Sequence, residues 1–200
     1  MENVLFVTTN NGKVATLRRS LDKVGLSNVK IEARSLAIIE PQADTCEEVA
    51  LSKARQAFQL VKKPILVDDS SFHITALGGF PGVYAKYMNE KLGAEGIVEF
   101  MKGKKDRSAH FEGVLVFVDK QGTEHIFREE PYRGSIADMV HEISDEAPWS
   151  VLHKIFIPEG GSDVLGNMSH QDGERTRKRS TSKYVLFAEW LLQQDEAKLG

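Results

Sequence analysis

Two adjacent carboxylates, Asp68 and Asp69, close the apolar run Pro64-Ile65-Leu66-Val67 and are followed by Ser70 and Ser71. An apolar run behind a proline predicts a short buried strand that ends on these carboxylates. In open α/β sheets, ligands bind just beyond the carboxyl ends of strands. Neighbouring carboxylates repel each other, and a divalent cation or a shared proton between them relieves the repulsion. Asp and Ser after a strand are also common turn formers and helix caps. The glycine-rich segment Ala76-Leu77-Gly78-Gly79-Phe80-Pro81-Gly82 favours a site, because it describes a backbone with tight turns or a close approach to something.

Three further stretches carry residues suited to phosphate chemistry. Thr8-Thr9-Asn10-Asn11-Gly12-Lys13 links the apolar run from Asn3 to a helical pattern with apolar residues at 14, 17, 21 and 24. Strand, polar loop and helix N-terminus together make a phosphate cradle, although the glycine spacing of a Walker motif is absent and an ordinary strand-to-helix turn would look the same. Thr45-Cys46-Glu47-Glu48 has capping-box spacing, so Glu48 suits a helix cap. Lys53 follows on the same helix, where periodicity alone places it in solvent. Arg175 to Lys183 is the one dense basic run, serving either as a solvated segment or as charge-assisted donors beside a phosphate. The six histidines show no metal-ligand spacing in the chain.

The elements that must position these residues alternate in type. Strands are predicted near 3–9, 30–33, 64–67, 110–118, 124–128 and 155–157, with 110–118 and 124–128 forming a hairpin. Helices are predicted over 14–24, 45–62, 84–101 (broken near Gly93 and Gly96) and 184–194. This order argues for a mixed α/β sheet. A chain of two hundred residues, 41% apolar and 28% charged, describes one soluble unit with length for a real core. A net charge of −3 gives no general affinity for nucleic acid or anionic membrane. Cys46, standing alone, excludes an intrachain disulfide. No signal peptide or membrane span is evident, so a cytoplasmic protein is expected.

The order and spacing of these segments resemble the inosine triphosphate pyrophosphatase family, which removes non-standard purine nucleoside triphosphates. Thr8, Asn10 and Lys13 match its opening T-x-N-x-x-K; Glu48 and Lys53 match its glutamate and lysine on one helix; Asp68, Asp69, Ser70 and residues 76–82 match its acidic strand and A-L-G-G-x-P-G. The similarity is continuous from about residue 3 to residue 136. It implies a single α/β domain over 1–200 with an elongated central sheet flanked by helices. Two lobes with a cleft between them are implied, residues 108–158 supplying much of the second. It also implies a homodimer that hydrolyses nucleoside triphosphates to monophosphate and pyrophosphate. Mg²⁺ would be held by Glu48 and Asp68 or Asp69, with Asp69 as the base and Asp68 beside it. Thr8, Asn10, Lys13, Lys53, Ser70 and Gly79 would hold the substrate.

The last third departs from this pattern. The family's F-G-[WY]-D-P-x-F, which holds the purine, is replaced by Ser150-Val151-Leu152-His153-Lys154-Ile155-Phe156, leaving Trp149 and His153 as substitutes for its aromatic and aspartate. Its closing S-H-R is also missing. Distance to the final helix places Ser180-Thr181-Ser182 there, so Arg179 and Ser182 become the expected substrate contacts. Three other readings compete with the non-standard purine pyrophosphatase: a pyrophosphatase with a different base preference, a catalytically weak or inactive relative that binds nucleotide or a partner, and nucleic-acid binding through the basic run. The absence of interleaved aromatics argues against the last.

Overall fold

The computed structural model describes residues 3–143, 150–177 and 182–197. In chain order its elements are β1 (Val4–Phe6), α1 (Asn11–Lys23), β2 (Ile31–Ala33), α2 (Cys46–Val61), β3 (Ile65–Ile74), β4 (Pro81–Gly82), α3 (Ala85–Phe100), β5 (Ser108–Val118), β6 (Glu124–Arg128), β7 (Tyr132–Ile136), β8 (Phe156–Pro158), α4 (His170–Thr176) and α5 (Lys183–Ala197). One mixed sheet has the order β2-β1-β3-β5-β7-β8, with β4 paired to β3 and β6 to β5. Strand β1 pairs in parallel with β2 and β3, whereas β5 pairs antiparallel with β6 and β7, and β7 with β8. The expected mixed α/β sheet flanked by helices is therefore present.

The chain divides into two compact units, and β3 and β5 contribute residues to both. The first comprises residues 1–69, 113–130 and 180–200. Its core joins Phe6, Leu17, Leu21, Leu66, Leu115, Phe117 and Phe187, and Phe187 packs 5.4–5.5 Å from the rings of Phe117 and Phe127. The second comprises residues 70–112 and 131–179, around Phe72, Ile97, Met101, Tyr132, Leu152 and Phe156. Each fully buried Leu, Ile or Phe contributes roughly 1.5–3 kcal/mol of transfer free energy, and ordering the chain offsets most of that gain.

Local chemistry explains most boundaries. Asn10 caps α1, its Oδ1 accepting from the backbone N–H groups of Gly12 and Lys13. Thr45 and Glu48 close the predicted capping box at the head of α2. Helix α3 is two helical pieces joined at Gly93, where φ is 65°. Only glycine adopts that left-handed conformation easily.

The largest difference from expectation is β3. It does not stop at the carboxylates but runs through them to Ile74. Asp68 and Asp69 therefore sit inside a strand, where alternate side chains point to opposite faces. They are a divided pair, not two charges converging on one ion. Strand β7 carries no sequence signal, because Tyr-Arg-Gly-Ser-Ile lacks a β pattern. Its central Gly134 is required by packing, since a Cβ there would overlap the Ile157 carbonyl oxygen and the Phe156 ring. The short α4 is likewise absent from the sequence expectation.

Candidate active site

The functional groups of the first unit gather around the middle of β3. Asp68 is buried, and three groups converge on it. Lys13, from the first turn of α1, pairs with its Oδ1; Lys183, at the head of α5, lies 3.0 Å from Oδ2; the Tyr184 hydroxyl donates to Oδ2 at 2.5 Å. Burial by itself would raise the pKa of this carboxyl. The charges of Lys13 and Lys183 and the hydrogen bonds from Lys13 and Tyr184 outweigh it and hold the group at about 2. Asp68 is thus a fixed anion.

Asp69 points the other way and is held differently. Lys53 of α2 donates to its Oδ2 at 2.8 Å, and Lys183 donates to its backbone carbonyl at 3.1 Å. Here burial prevails over the attraction of Lys53, with nearby Glu40 adding to it, so the Asp69 pKa is raised. One carboxylate is pinned as an anion and its neighbour is made a better proton acceptor, and such separation marks sites of acid–base work.

Lys53 carries a second contact, to Glu40 Oε2 at 3.5 Å. Lys183 approaches Glu129 Oε1 at 3.9 Å. The close approach depends on Gly113 of β5, because a Cβ there would overlap both Lys183 Nζ and Glu129 Oε1. Gly113→Ala should therefore displace the Lys183 head. We expect a fall in turnover and a lower melting temperature, because the buried Lys183–Asp68 pair is disturbed, checked by steady-state kinetics beside a thermal melt.

The predicted strand, polar loop and helix start are present around Thr8 to Lys13. Strand β1 delivers Thr8 and Asn10 to the N-terminus of α1, a thirteen-residue helix with no acidic residue in its first turn. Thr8 Oγ1 accepts from the Asn10 backbone N–H at 3.0 Å, so the loop is stiffened by its own side chains. The partial positive charge of the helix start and the Lys13 ammonium favour an anion there. The Lys13 pKa is raised: burial lowers it, but the charge of Asp68 outweighs that effect.

Other expected positions fall elsewhere. Glu48 Oε2 accepts from the Asp44 and Thr45 backbone N–H groups and the Thr45 hydroxyl, so this glutamate works as a cap. Among the described residues, Glu48, Asp68 and Asp69 do not form a group of potential ligands within 4.8 Å of one another. In the second unit, Ser70 continues β3. Gly79, at φ 89°, lies in the turn that returns the chain to pair Phe72 with Gly82. His153 is buried in a short 3₁₀ turn, its backbone N–H donating to the Ser150 carbonyl. Arg177 lies over the Tyr132 ring, and Arg175 pairs with Asp172. Trp149 and Arg179 lie outside the described residues. Ser182 directly precedes α5, where its carbonyl accepts from the Leu186 N–H.

Three participants escape the sequence reading, Tyr184, Glu129 and Glu40, and Lys183 enters it only as the end of the basic run. A signal existed for Lys183. It ends the basic run, yet stands four residues before the core residue Phe187, hence on the buried face of α5.

Comparisons with known proteins bear on the family and the fold. A sequence profile of the Ham1 family matches residues 4–186. A dITP/XTP pyrophosphatase of Thermococcus kodakarensis is 34% identical over 186 residues, covering 93% of this chain and 95% of the relative. That of Methanopyrus kandleri is 33% identical, covering 94% and 95%. A HAM1 protein from Coxiella burnetii has the same fold, with a TM-score of 0.80 at 21% identity over 96% of this chain and all of its own. The Staphylococcus aureus Ham1 protein gives 0.77 at 18% identity, covering 96% of this chain and 100% of that one. The profile spans both compact units, and the sequence resemblance and the fold point the same way: the chain belongs to the Ham1 family.

Proposed function

We propose that the protein is a Mg²⁺-dependent pyrophosphatase of non-standard purine nucleoside triphosphates, of the dITP and XTP class that its relatives are named for. The observation that carries this is Asp69: a buried carboxylate with a raised pKa beside Lys53, in the unit whose α1 N-terminus and Lys13 form an anion cradle. In this reading Asp69 accepts a proton from a water whose oxygen bonds to the α-phosphorus. The bond from the α-phosphorus to the bridging oxygen breaks, and pyrophosphate leaves. Lys13, Lys53 and the positive end of the α1 dipole hold the charge that develops on the phosphates. Asp68 takes no proton; it fixes Lys13 and Lys183 in place.

The donor set fits a hard cation at Asp69. Lys53 Nζ already stands between the Asp69 and Glu40 carboxylates, as a cation stand-in. Mg²⁺ is commonly held by one or two carboxylates plus substrate oxygens. Asp69 and Glu40 are therefore the residues we propose would hold it, while Glu48 keeps the cap and Asp68 its lysines. When bound, the ion would polarise phosphoryl oxygens and assist ionisation of water. The same reading makes the protein a cytoplasmic homodimer, and light scattering checks the dimer.

A binding-only relative is the second reading. It is favoured by the burial of Leu152 and His153, at 2% and 7% exposure, where the resemblance expects residues that hold a base. Both readings meet one experiment: the purified protein with Mg²⁺ and ITP, XTP, dITP, dUTP, ATP or GTP, assayed for pyrophosphate and monophosphate. Preferential turnover of dITP and XTP supports the first. Nucleotide binding with no turnover on any substrate supports the second.

A further inference from the structure

The second unit holds a cluster that the pyrophosphatase chemistry does not use. His73 lies on β3, four residues beyond Asp69, and His110 and Glu112 lie two apart on β5, on one face of that strand. Strands β3 and β5 are neighbours in the sheet, which brings together residues far apart in the chain. Both imidazole Nε2 atoms address the same carboxylate: His110 Nε2 is 3.3 Å from Glu112 Oε1, and His73 Nε2 is 3.7 Å from Glu112 Oε2. One potential ligand atom from each residue lies within 4.8 Å of the other two. Ser71 Oγ is 2.8 Å from His73 Nε2 and adds an oxygen.

We propose that His73, His110 and Glu112 form a binding site for a divalent transition metal ion, distinct in place and in metal class from the Mg²⁺ site at Asp69. Two imidazoles with one carboxylate suit Zn²⁺, Co²⁺, Ni²⁺ or Fe²⁺, and are a poor match to Mg²⁺ or Ca²⁺, which prefer oxygen. The two rings are stacked, 4.9 Å apart and 10° from parallel. Two parallel imidazoles cannot aim their lone pairs at one point, so one ring turns out of the stack as the ion enters. Partial exposure of both side chains, 21% and 24%, allows that rotation. Arg133 opposes His110 in the β5–β7 register and works against a cation, and Glu112 offsets it. Three protein ligands leave at least one position for water or an outside group, as in open zinc sites.

The test uses untagged, chelator-treated full-length protein without nucleotide, titrated with Co²⁺ in excess Mg²⁺, read by visible absorption and by calorimetry. Wild type should bind one equivalent of Co²⁺ with the spectrum of mixed nitrogen and oxygen ligation, and Zn²⁺ should displace it. His110→Phe keeps a ring in the stack and removes the nitrogen; it and His73→Ala should each weaken binding by more than about tenfold, since even outer-shell changes at metal sites cost about 10–100-fold. Asp69→Asn should leave the Co²⁺ affinity unchanged. Circular dichroism of each variant confirms folding. Absence of Co²⁺ binding by wild type, or binding abolished by Asp69→Asn and kept by His110→Phe, overturns the proposal. Failure of the pyrophosphatase assay would leave this result unaffected, because no step of it involves nucleotide.

Discussion

Asp69→Asn should lower pyrophosphate release by about 10²–10⁴-fold, the usual contribution of a positioned general base, while leaving the melting temperature close to wild type. Asparagine preserves the shape of the side chain and its hydrogen bond to Lys53 can be remade through the amide oxygen, so the loss reports the carboxylate charge, in proton acceptance and in holding Mg²⁺; raising Mg²⁺ overcomes a weakened ligand and does not restore a lost base. The measurement is kcat and KM for dITP with Mg²⁺, beside a thermal melt; near-wild-type kcat would remove Asp69 from the role of base. The acid limb of the wild-type rate profile follows from the direction of the pKa. Burial raises Asp69 above its ordinary carboxylate value, so the rate should fall with decreasing pH earlier than for an exposed aspartate. Lys53→Met removes the main charge opposing that rise, and the limb should move to still higher pH.

Asp68→Asn should have the largest effect on stability. Asp68 is the shared counter-charge of Lys13 and Lys183, and Lys183 is almost fully buried. Breaking a buried ion pair from one side costs about 3–5 kcal/mol, because the charge left behind is uncompensated. Lys183 keeps the Asp69 carbonyl and the more distant Glu129, which places the expectation toward the lower end of that range. Urea unfolding measures it. The double variant Asp68→Asn/Lys183→Met should recover part of the loss; no recovery would mean that packing and not charge carries the effect.

The pH dependence has the same origin. Asp68 titrates at about 2 in the folded protein against 3.8 ordinarily, so its contribution to stability is present above pH 3.8 and is lost as pH falls toward 2. That contribution is about 2 kcal/mol, at about 1.36 kcal/mol per pH unit. Asp69 acts with the opposite sign: its raised pKa means the folded state binds the proton more readily, so acidification relieves a penalty there. The acid transition of the wild type is the sum of the two, and Asp68→Asn should remove the steep lower part.

Much of the site was legible in the chain because its signals are local. Asn10 and Thr45 cap helices through contacts within the next turn of chain, and these contacts fix where α1 and α2 begin and hence where Lys13 and Lys53 emerge. The expected strand end at Asp68 fails for an equally physical reason. Polar residues after an apolar run look like a turn. A strand can continue through charges when each finds a partner from another element, and here those partners are Lys13 of α1, Lys183 of α5 and Lys53 of α2. No short window of sequence contains both members of such a pair. The same limit hid His73, His110 and Glu112, whose proximity depends on β3 and β5 being neighbours.

The pair Asp68-Asp69 shows the division most plainly. Residue type and local spacing offered two carboxylates, a polar loop at a helix N-terminus with Lys13, and a capped helix carrying Lys53; the family resemblance joined them in one phosphate-directed chemistry. Tertiary structure decided that the carboxylates are not equivalent. By sending their side chains to opposite faces of β3, it gave one two lysines and a tyrosine and the other a single lysine in a buried setting. The difference between a fixed anion and a proton acceptor is a difference of surroundings, and those surroundings come from distant segments that only the fold brings together.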